Sequence, residues 1–213
     1  DISSSIKNKL NSALTVGACL FVMDKLGIEV LVTGGIGGVS RSAFKDFDVS
    51  ADLVALSSCN NIVVCSGMKA FMGIKETLEY LETNSVLVSV YNSETIPLFY
   101  SRSSKIKAEN VIRNHREIID IFKINKQMGL EKSILLCNPI DEEYSIDLNY
   151  LEDIISKSIT NSEKNGIFGK DLTPYILNDI SEQTGGRTLA SNIELIKSNA
   201  KLGSEISFGL NSN

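Results

Sequence analysis

A short apolar run that recurs along the chain, each time leading into turn-forming residues, constrains the fold more than any other feature. The runs cover residues 29–33, 61–65, 86–90 and 133–137. Apolar runs of this length are typical of strands buried on both faces of a sheet. Amphipathic helical patterns lie between them, over 74–81 and 111–128. This alternation predicts an α/β fold, with a mainly parallel sheet and helices on both of its faces.

The two ends of the chain carry further helical patterns. Apolar residues recur at helical spacing over 9–26, and Gly27 is suited to end that helix as a C-cap. After Pro139 the pattern predicts a helical C-terminal part, with helices over roughly 148–164, 174–184 and 189–206, and a frayed tail over 209–213. No linker interrupts the chain, so we expect a single α/β domain over residues 1–213.

Composition excludes some functions and suggests a compartment. The formal net charge of −5 disfavours a general nucleic-acid binder, and no apolar run reaches membrane-spanning length. The four cysteines show neither a CxxC pair nor a Cys/His metal spacing, so we expect reduced, mostly buried thiols. Reduced thiols predict an intracellular protein, most simply a cytoplasmic one, with an organelle left open.

Parallel sheets bind ligands beyond the carboxyl ends of their strands, which directs attention to residues 33–52, 66–69, 91–102 and 138–143. The first stretch contains Thr33-Gly34-Gly35-Ile36-Gly37-Gly38, whose glycines let backbone N–H groups approach and cradle an anion. The segment matches neither a Walker A motif nor GxGxxG, and a tight turn is the alternative interpretation.

Two charged motifs follow at the same predicted edge. Asp48 and Asp52 are four residues apart, with Ser50 between them. A carboxylate together with water molecules can hold Mg²⁺ or Mn²⁺. The alternative interpretation is that this segment caps a helix over 53–57. Lys69 comes just after a predicted strand. A crowded, glycine-containing loop can desolvate such an amine and make it a nucleophile, although a lysine is more often only a surface charge.

These motifs, together with residues 78–83, 138–143, 169–174 and 185–193, resemble the pseudouridine-5'-phosphate glycosidase family, also called indigoidine synthase A-like, over almost the whole chain. The resemblance implies a lyase or glycosidase of nucleotide catabolism, formally also a hydrolase. It would reversibly split pseudouridine 5'-phosphate into uracil and ribose 5-phosphate. It further implies a divalent metal cofactor, usually Mn²⁺, a homotrimer, and no nucleic-acid or membrane partner.

The resemblance also assigns roles to individual residues. Lys69 corresponds to the nucleophile that forms a Schiff base with the sugar, and Asp48 to the metal ligand. Asp52 corresponds to a catalytic residue that moves protons during ring opening. The implied substrate-binding residues are Val16, Thr33, Gly34, Gly35, Ser50, Ala51, Asp52 and Asn192, with Thr33 near the phosphate and Asn192 near the base. An iminium at C1' suits this reaction because a C–C bond has no glycosidic oxygen to protonate.

The sequence departs from the family pattern in two places. Ser40 stands where the family has a histidine, and the only histidine, His115, falls in a polar helical pattern expected at the surface. The family's acid glutamate and one substrate-binding lysine belong to an N-terminal portion that is expected to precede Asp1. We therefore keep three hypotheses: an active glycosidase, a catalytically degenerate homologue that acts as a binding or structural protein, and another sugar-phosphate lyase that uses Lys69.

Overall fold

The computed structural model describes residues 2–41, 43, 47–167 and 169–212 of the chain. The helices are α1 (Ile2–Lys7), α2 (Val16–Leu26), α3 (Ala51–Leu56), α4 (Ile74–Thr83), α5 (His115–Gln127), α6 (Leu148–Lys164), α7 (Leu172–Gln183) and α8 (Arg187–Asn211). The strands are β1 (Val30–Val32), β2 (Val39–Ser40), β3 (Ile62–Cys65), β4 (Met72–Gly73), β5 (Leu87–Tyr91), β6 (Asn110–Ile112) and β7 (Ile134–Cys137). Short 3₁₀ turns cover Glu142–Tyr144 and Gly169–Asp171.

In the described part of the chain, five strands form one parallel sheet in the order β1-β3-β7-β5-β6. The two central strands, β3 and β7, are buried along their whole length, which is why they read as continuous apolar runs. β2 and β4 form a small antiparallel ribbon beside this sheet. The predicted parallel α/β fold is confirmed.

Alternate residues of the central strands pack against helices on opposite faces of the sheet. Val63 and Cys65 of β3 belong to a buried cluster with residues of α2, α3 and α4. Ile62 and Val64, which point the other way, pack with residues of α5 and α8. A third buried cluster joins α6 and α7 to the loops beyond the strand ends. The helical C-terminal part therefore covers the edge of the sheet where ligands are expected.

Several elements differ from the prediction in their bounds. The predicted 9–26 helix begins only at Val16, because the Thr15 side chain accepts the N–H of Ala18 and acts as the N-cap. The prediction missed β6, since a three-residue edge strand has no apolar run to reveal it, and α5 begins at His115 after an Asn114 N-cap. The prediction of a frayed tail from residue 209 was wrong, because α8 continues through Asn211.

The cysteines are free thiols, as predicted. Cys65 and Cys137 lie side by side on β3 and β7, and both are fully buried. Their mutual hydrogen bond, together with burial, raises the pKa of the Cys137 thiol well above its ordinary value. A thiol with a pKa raised in this way, as at Cys137, is a poor nucleophile at neutral pH. Within the described residues, no helix has the length and apolar character needed to cross a membrane.

Candidate active site

The glycine-rich segment and the lysine loop run side by side beyond β1 and β3. The N–H of Ser66 donates to the Gly34 carbonyl (2.9 Å), and the N–H of Ile36 donates to the Gly67 carbonyl (3.1 Å). The N–H of Lys69 then donates to the Ile36 carbonyl (3.0 Å). This ladder of main-chain bonds fixes the backbone of Lys69 against the glycines, at the edge of the sheet that the sequence predicted.

Close packing explains why the segment needs glycine. A Cβ atom at Gly35 would lie 2.5 Å from the Phe99 ring, and one at Gly37 would lie 2.7 Å from Ser50 Cβ. Distances this short are overlaps for carbon atoms. Close packing alone therefore accounts for glycine at Gly35 and Gly37, and the anion cradle stays a prediction.

We expect Gly37→Ala to lower the free energy of unfolding by about 1–3 kcal/mol, because the new methyl group must displace Ser50. Gly34→Ala is the matched comparison, since its Cβ would meet neighbouring side chains at 3.3 Å and needs only a small shift. Urea denaturation of both variants checks the prediction. Equal losses in the two variants would show that the Ser50 contact has no special cost.

Asp52 connects three parts of the site through its carboxylate. The side chain is 4% exposed. Oδ1 accepts the N–H of Gly17 at the start of α2 (2.7 Å), and Oδ2 accepts the N–H of Gly37 (2.8 Å). Both oxygens are thus held by main-chain donors. Val16 is the first residue of α2, so its predicted contact position lies directly beside this carboxylate.

Ser50 is the N-cap of α3, where its side chain accepts the N–H of Asp52 (3.2 Å). The capping interpretation is thus confirmed for Ser50, although the helix begins at Ala51 rather than at residue 53. Ala51 is exposed, and its backbone packs against Gly17. A Cβ atom added at Gly17 would lie 3.1 Å from the Ala51 carbonyl oxygen. The segment from Ser50 to Asp52 therefore joins the start of α2 to the glycines.

Lys69 is half-buried, and within the described part of the chain its amine makes no hydrogen bond or ion pair. Its neighbour Ala70 is held firmly, because Arg41 Nη2 donates to the Ala70 carbonyl (3.0 Å). The same guanidinium binds Glu152 of α6 through two bonds of 2.7 and 2.9 Å. The backbone around Lys69 is fixed while its amine is left available for a ligand.

Asp48 lies at the outer side of the site, with an exposed side chain. Its carbonyl accepts the N–H of Ser40 (2.9 Å), which ties the residue to the β2–β4 ribbon. Among the described residues, no group of three or more His, Cys, Asp or Glu side chains could hold a metal ion. A hard, solvent-accessible carboxylate does fit a divalent cation that keeps most of its waters, as Mg²⁺ and Mn²⁺ often do.

Asn192 reaches the glycine segment from α8. A Cβ atom at Gly34 would lie 3.3 Å from Asn192 Oδ1. That oxygen is buried and has no hydrogen-bond partner among the residues that the structure describes. A buried acceptor without a donor is costly, so a ligand N–H placed there would satisfy it. Thr33 lies one residue away, half-buried, with Oγ1 3.5 Å from the Gly35 carbonyl.

The structure thus brings all of the predicted substrate-binding residues, Lys69 and Asp52 to one edge of the sheet, with Asp48 at its rim. Sequence reasoning missed Phe99, whose ring covers Gly35, and Thr77, whose hydroxyl accepts the N–H of Val39 (2.9 Å). Only the expectation of ligand contacts within residues 91–102 pointed toward Phe99.

His115 is half-buried and lines a surface cavity of about 370 Å³ between α5 and α8. None of the predicted site residues lines this cavity.

Comparison with known proteins gives a consistent result. A sequence model of the family described as Indigoidine synthase A like protein matches residues 1–209. The chain is similar to a pseudouridine-5'-phosphate glycosidase of Caldanaerobacter subterraneus subsp. tengcongensis, with 43% identity over 99% of this chain and 69% of the relative. It is also similar to the Staphylococcus aureus (strain MW2) protein of the same name, with 38% identity over 99% of this chain and 69% of that relative.

Two solved structures have a similar fold. An indigoidine synthase A-like protein of Thermotoga maritima superposes with a TM-score of 0.87 and 37% identity, over 95% of this chain and 66% of its own. The prealnumycin C-glycosynthase AlnA, solved in complex with ribulose 5-phosphate, superposes with a TM-score of 0.91 and 27% identity, over 99% of this chain and 69% of its own. The chain spans about two thirds of the length of these proteins.

Proposed function

This chain belongs to the indigoidine synthase A-like family, and we propose that it cleaves the C–C glycosidic bond of pseudouridine 5'-phosphate to give uracil and ribose 5-phosphate. The observation that carries this proposal is the main-chain ladder that holds Lys69 against the glycine segment. AlnA, which is similar in fold, was solved with a sugar phosphate and makes C-glycosidic bonds, and both facts support the proposal.

In the proposed reaction, the Lys69 amine forms a bond to C1' and gives up a proton as the bond between C1' and the ring oxygen breaks. The ring oxygen takes a proton and becomes a hydroxyl group, which opens the sugar. When the bond between C1' and uracil breaks, its electron pair stays with the uracil ring, whose carbon takes a proton from an acid. The nitrogen lone pair completes a C=N bond to C1' at the same time. Water then hydrolyses this Schiff base, which releases ribose 5-phosphate and restores the amine.

The surrounding residues bind and orient the substrate. The N–H groups of Gly34 and Gly35 and the Thr33 hydroxyl are suited to the phosphate, since the N–H groups of Ile36 and Gly37 already donate within the protein. The orphan oxygen of Asn192 is suited to an N–H of the uracil ring. Each Asp52 oxygen keeps a lone pair after accepting one main-chain N–H, so the carboxylate retains capacity to take and return a proton during ring opening.

Asp48 would hold a divalent cation, Mn²⁺ in our proposal, mostly through water. The cation would supply positive charge to offset the phosphate. We expect Asp48→Ala to lower kcat/KM about tenfold at limiting Mn²⁺ and to raise the Mn²⁺ concentration needed for half-maximal activity. Thermal unfolding is the control, and an unchanged Tm would assign the loss of activity to the site itself. A marked fall in Tm would instead assign Asp48 a structural role.

Ser40 gives a second test of the site. A serine hydroxyl reaches less far than the family histidine and carries no positive charge near neutral pH. One lost transition-state hydrogen bond costs about 1–3 kcal/mol, or roughly tenfold to a hundredfold in rate. Ser40→His should therefore raise kcat/KM by about tenfold. A fall in kcat/KM would show that the site is adapted to serine, and the substrate would need to be reconsidered.

The direct test is release of uracil from pseudouridine 5'-phosphate with Mn²⁺ present, followed by chromatography. Pseudouridine without its phosphate is the matched control and should be cleaved far more slowly. If ribose 5-phosphate binds but no uracil is released, the protein is a binding homologue and the proposal fails.

We also propose that the protein is a homotrimer and that it is cytoplasmic. Sedimentation equilibrium tests the oligomeric state, and fractionation of the source cells tests the location.

A further inference from the structure

A single buried amide links the ends of three strands. Asn199 of α8 is 0% exposed. Its Nδ2 donates to the Thr33 carbonyl after β1 (2.9 Å) and to Ser66 Oγ after β3 (3.1 Å). Its Oδ1 accepts from Nδ2 of Asn138, directly after β7 (3.0 Å). Both N–H groups and the oxygen of the Asn199 side chain are therefore hydrogen-bonded, and each bond goes to the residue that follows a different strand.

The linked residues border the proposed active site. Thr33 begins the glycine segment, and Ser66 begins the loop that carries Lys69. A buried polar network that is fully satisfied is rigid, because moving any member leaves a buried group without a partner. The position of α8 along its axis is therefore fixed relative to β1, β3 and β7.

Asn192 lies on the same helix, two turns before Asn199. Residues seven apart share one face of an α-helix, so both asparagines face the strand ends. Close packing farther along supports the same placement, because a Cβ atom at Gly203 would overlap with the Val32 side chain. The hydrogen bonds of Asn199, two turns away, thus fix the position of the unpaired Asn192 oxygen beside Gly34.

We infer that Asn199 is a positioning residue, which fixes α8 so that Asn192 meets the uracil ring at the correct distance from Lys69. This inference rests on the proposed function, because it assigns Asn199 a role in that reaction. A shift of about 1 Å in a positioning contact can cost a hundredfold in rate. The Asn199 amide is fully buried, so a role in the reaction is exerted through Asn192 and not by direct contact with the substrate.

The test compares Asn199→Ala with Ser198→Ala. Ser198 accepts from the same Asn138 amide (3.0 Å), but among the described residues it makes no hydrogen bond to Thr33 or Ser66. In the synthetic direction, with uracil and ribose 5-phosphate as substrates, we expect Asn199→Ala to raise KM for uracil at least about tenfold. Trapping of ribose 5-phosphate on Lys69 by borohydride should change by less than about twofold. Ser198→Ala should match the wild type in both measurements.

A double-mutant cycle with Asn192→Ala separates positioning from general stability. If Asn199 acts through Asn192, the double variant should be no weaker than Asn192→Ala alone, within about twofold. Effects that multiply would overturn the inference, as would loss of Lys69 trapping in Asn199→Ala. Should Asn199→Ala fail to fold, Ser66→Ala removes one anchor bond and is expected to show a smaller rise in the same KM.

Amide hydrogen exchange gives a readout independent of activity. In Asn199→Ala the first turns of α8, around Asn192, should exchange faster than in Ser198→Ala, because the helix has lost its anchor. Unchanged exchange would overturn the inference even if uracil is released. Absence of uracil release from the wild type, together with no Lys69 adduct, would instead overturn the proposed function.

Discussion

Replacing Lys69 by arginine is expected to lower kcat/KM for uracil release by roughly a thousandfold or more. Arginine keeps the positive charge and much of the length, but its guanidinium is protonated at all accessible pH values and cannot form an imine. With ribose 5-phosphate present, borohydride should add the mass of the reduced sugar phosphate to the wild type at Lys69. It should add nothing to the variant.

The matched control is Lys75→Arg, in which an exposed lysine of α4 is changed in the same way. It should keep wild-type activity and the wild-type adduct. Since no described residue pairs with the Lys69 amine, Lys69→Arg should also keep the wild-type Tm within a few degrees. An active Lys69→Arg variant, or an active wild type that gives no adduct, would remove Lys69 from the chemistry.

Asp52→Ala is expected to lower the free energy of unfolding by about 3–5 kcal/mol, as well as activity. The change leaves the N–H groups of Gly17 and Gly37 without their acceptors in a buried region, and each hydrogen bond to a charged group contributes about 1.5–3 kcal/mol. For a chain of this size the loss corresponds to a fall in Tm of roughly 10 °C. Urea and thermal denaturation measure both quantities.

Asp52→Asn separates stability from chemistry. The amide keeps one acceptor oxygen, but its NH₂ group must face a main-chain donor, so an intermediate loss of stability is expected. Asp153→Ala, at an exposed position of α6, is the control and should change stability by less than about 0.5 kcal/mol. If Asp52→Ala were as stable as this control, the hydrogen bonds to Gly17 and Gly37 would have no net structural value.

Much of the fold could be predicted from the sequence, because the features involved are local. The strands β3 and β7 were evident as apolar runs, since strands buried on both faces have no polar side. The C-cap at Gly27 was predicted correctly, because a left-handed backbone (φ 67°) favours glycine. The edge strand β6 was missed, because it shows a mixed pattern of exposed and buried residues.

The sequence by itself determined which residues lie at the ligand-binding edge, because the order of strands and turns places Lys69 and the glycine segment after parallel strands. Only the tertiary structure decided which of them touch. The carboxylate of Asp52 reaches Gly17, 35 residues away, and the amide of Asn199 reaches Thr33, 166 residues away. Such contacts depend on how helices pack against the sheet, and packing of distant segments leaves no periodic signal in the chain.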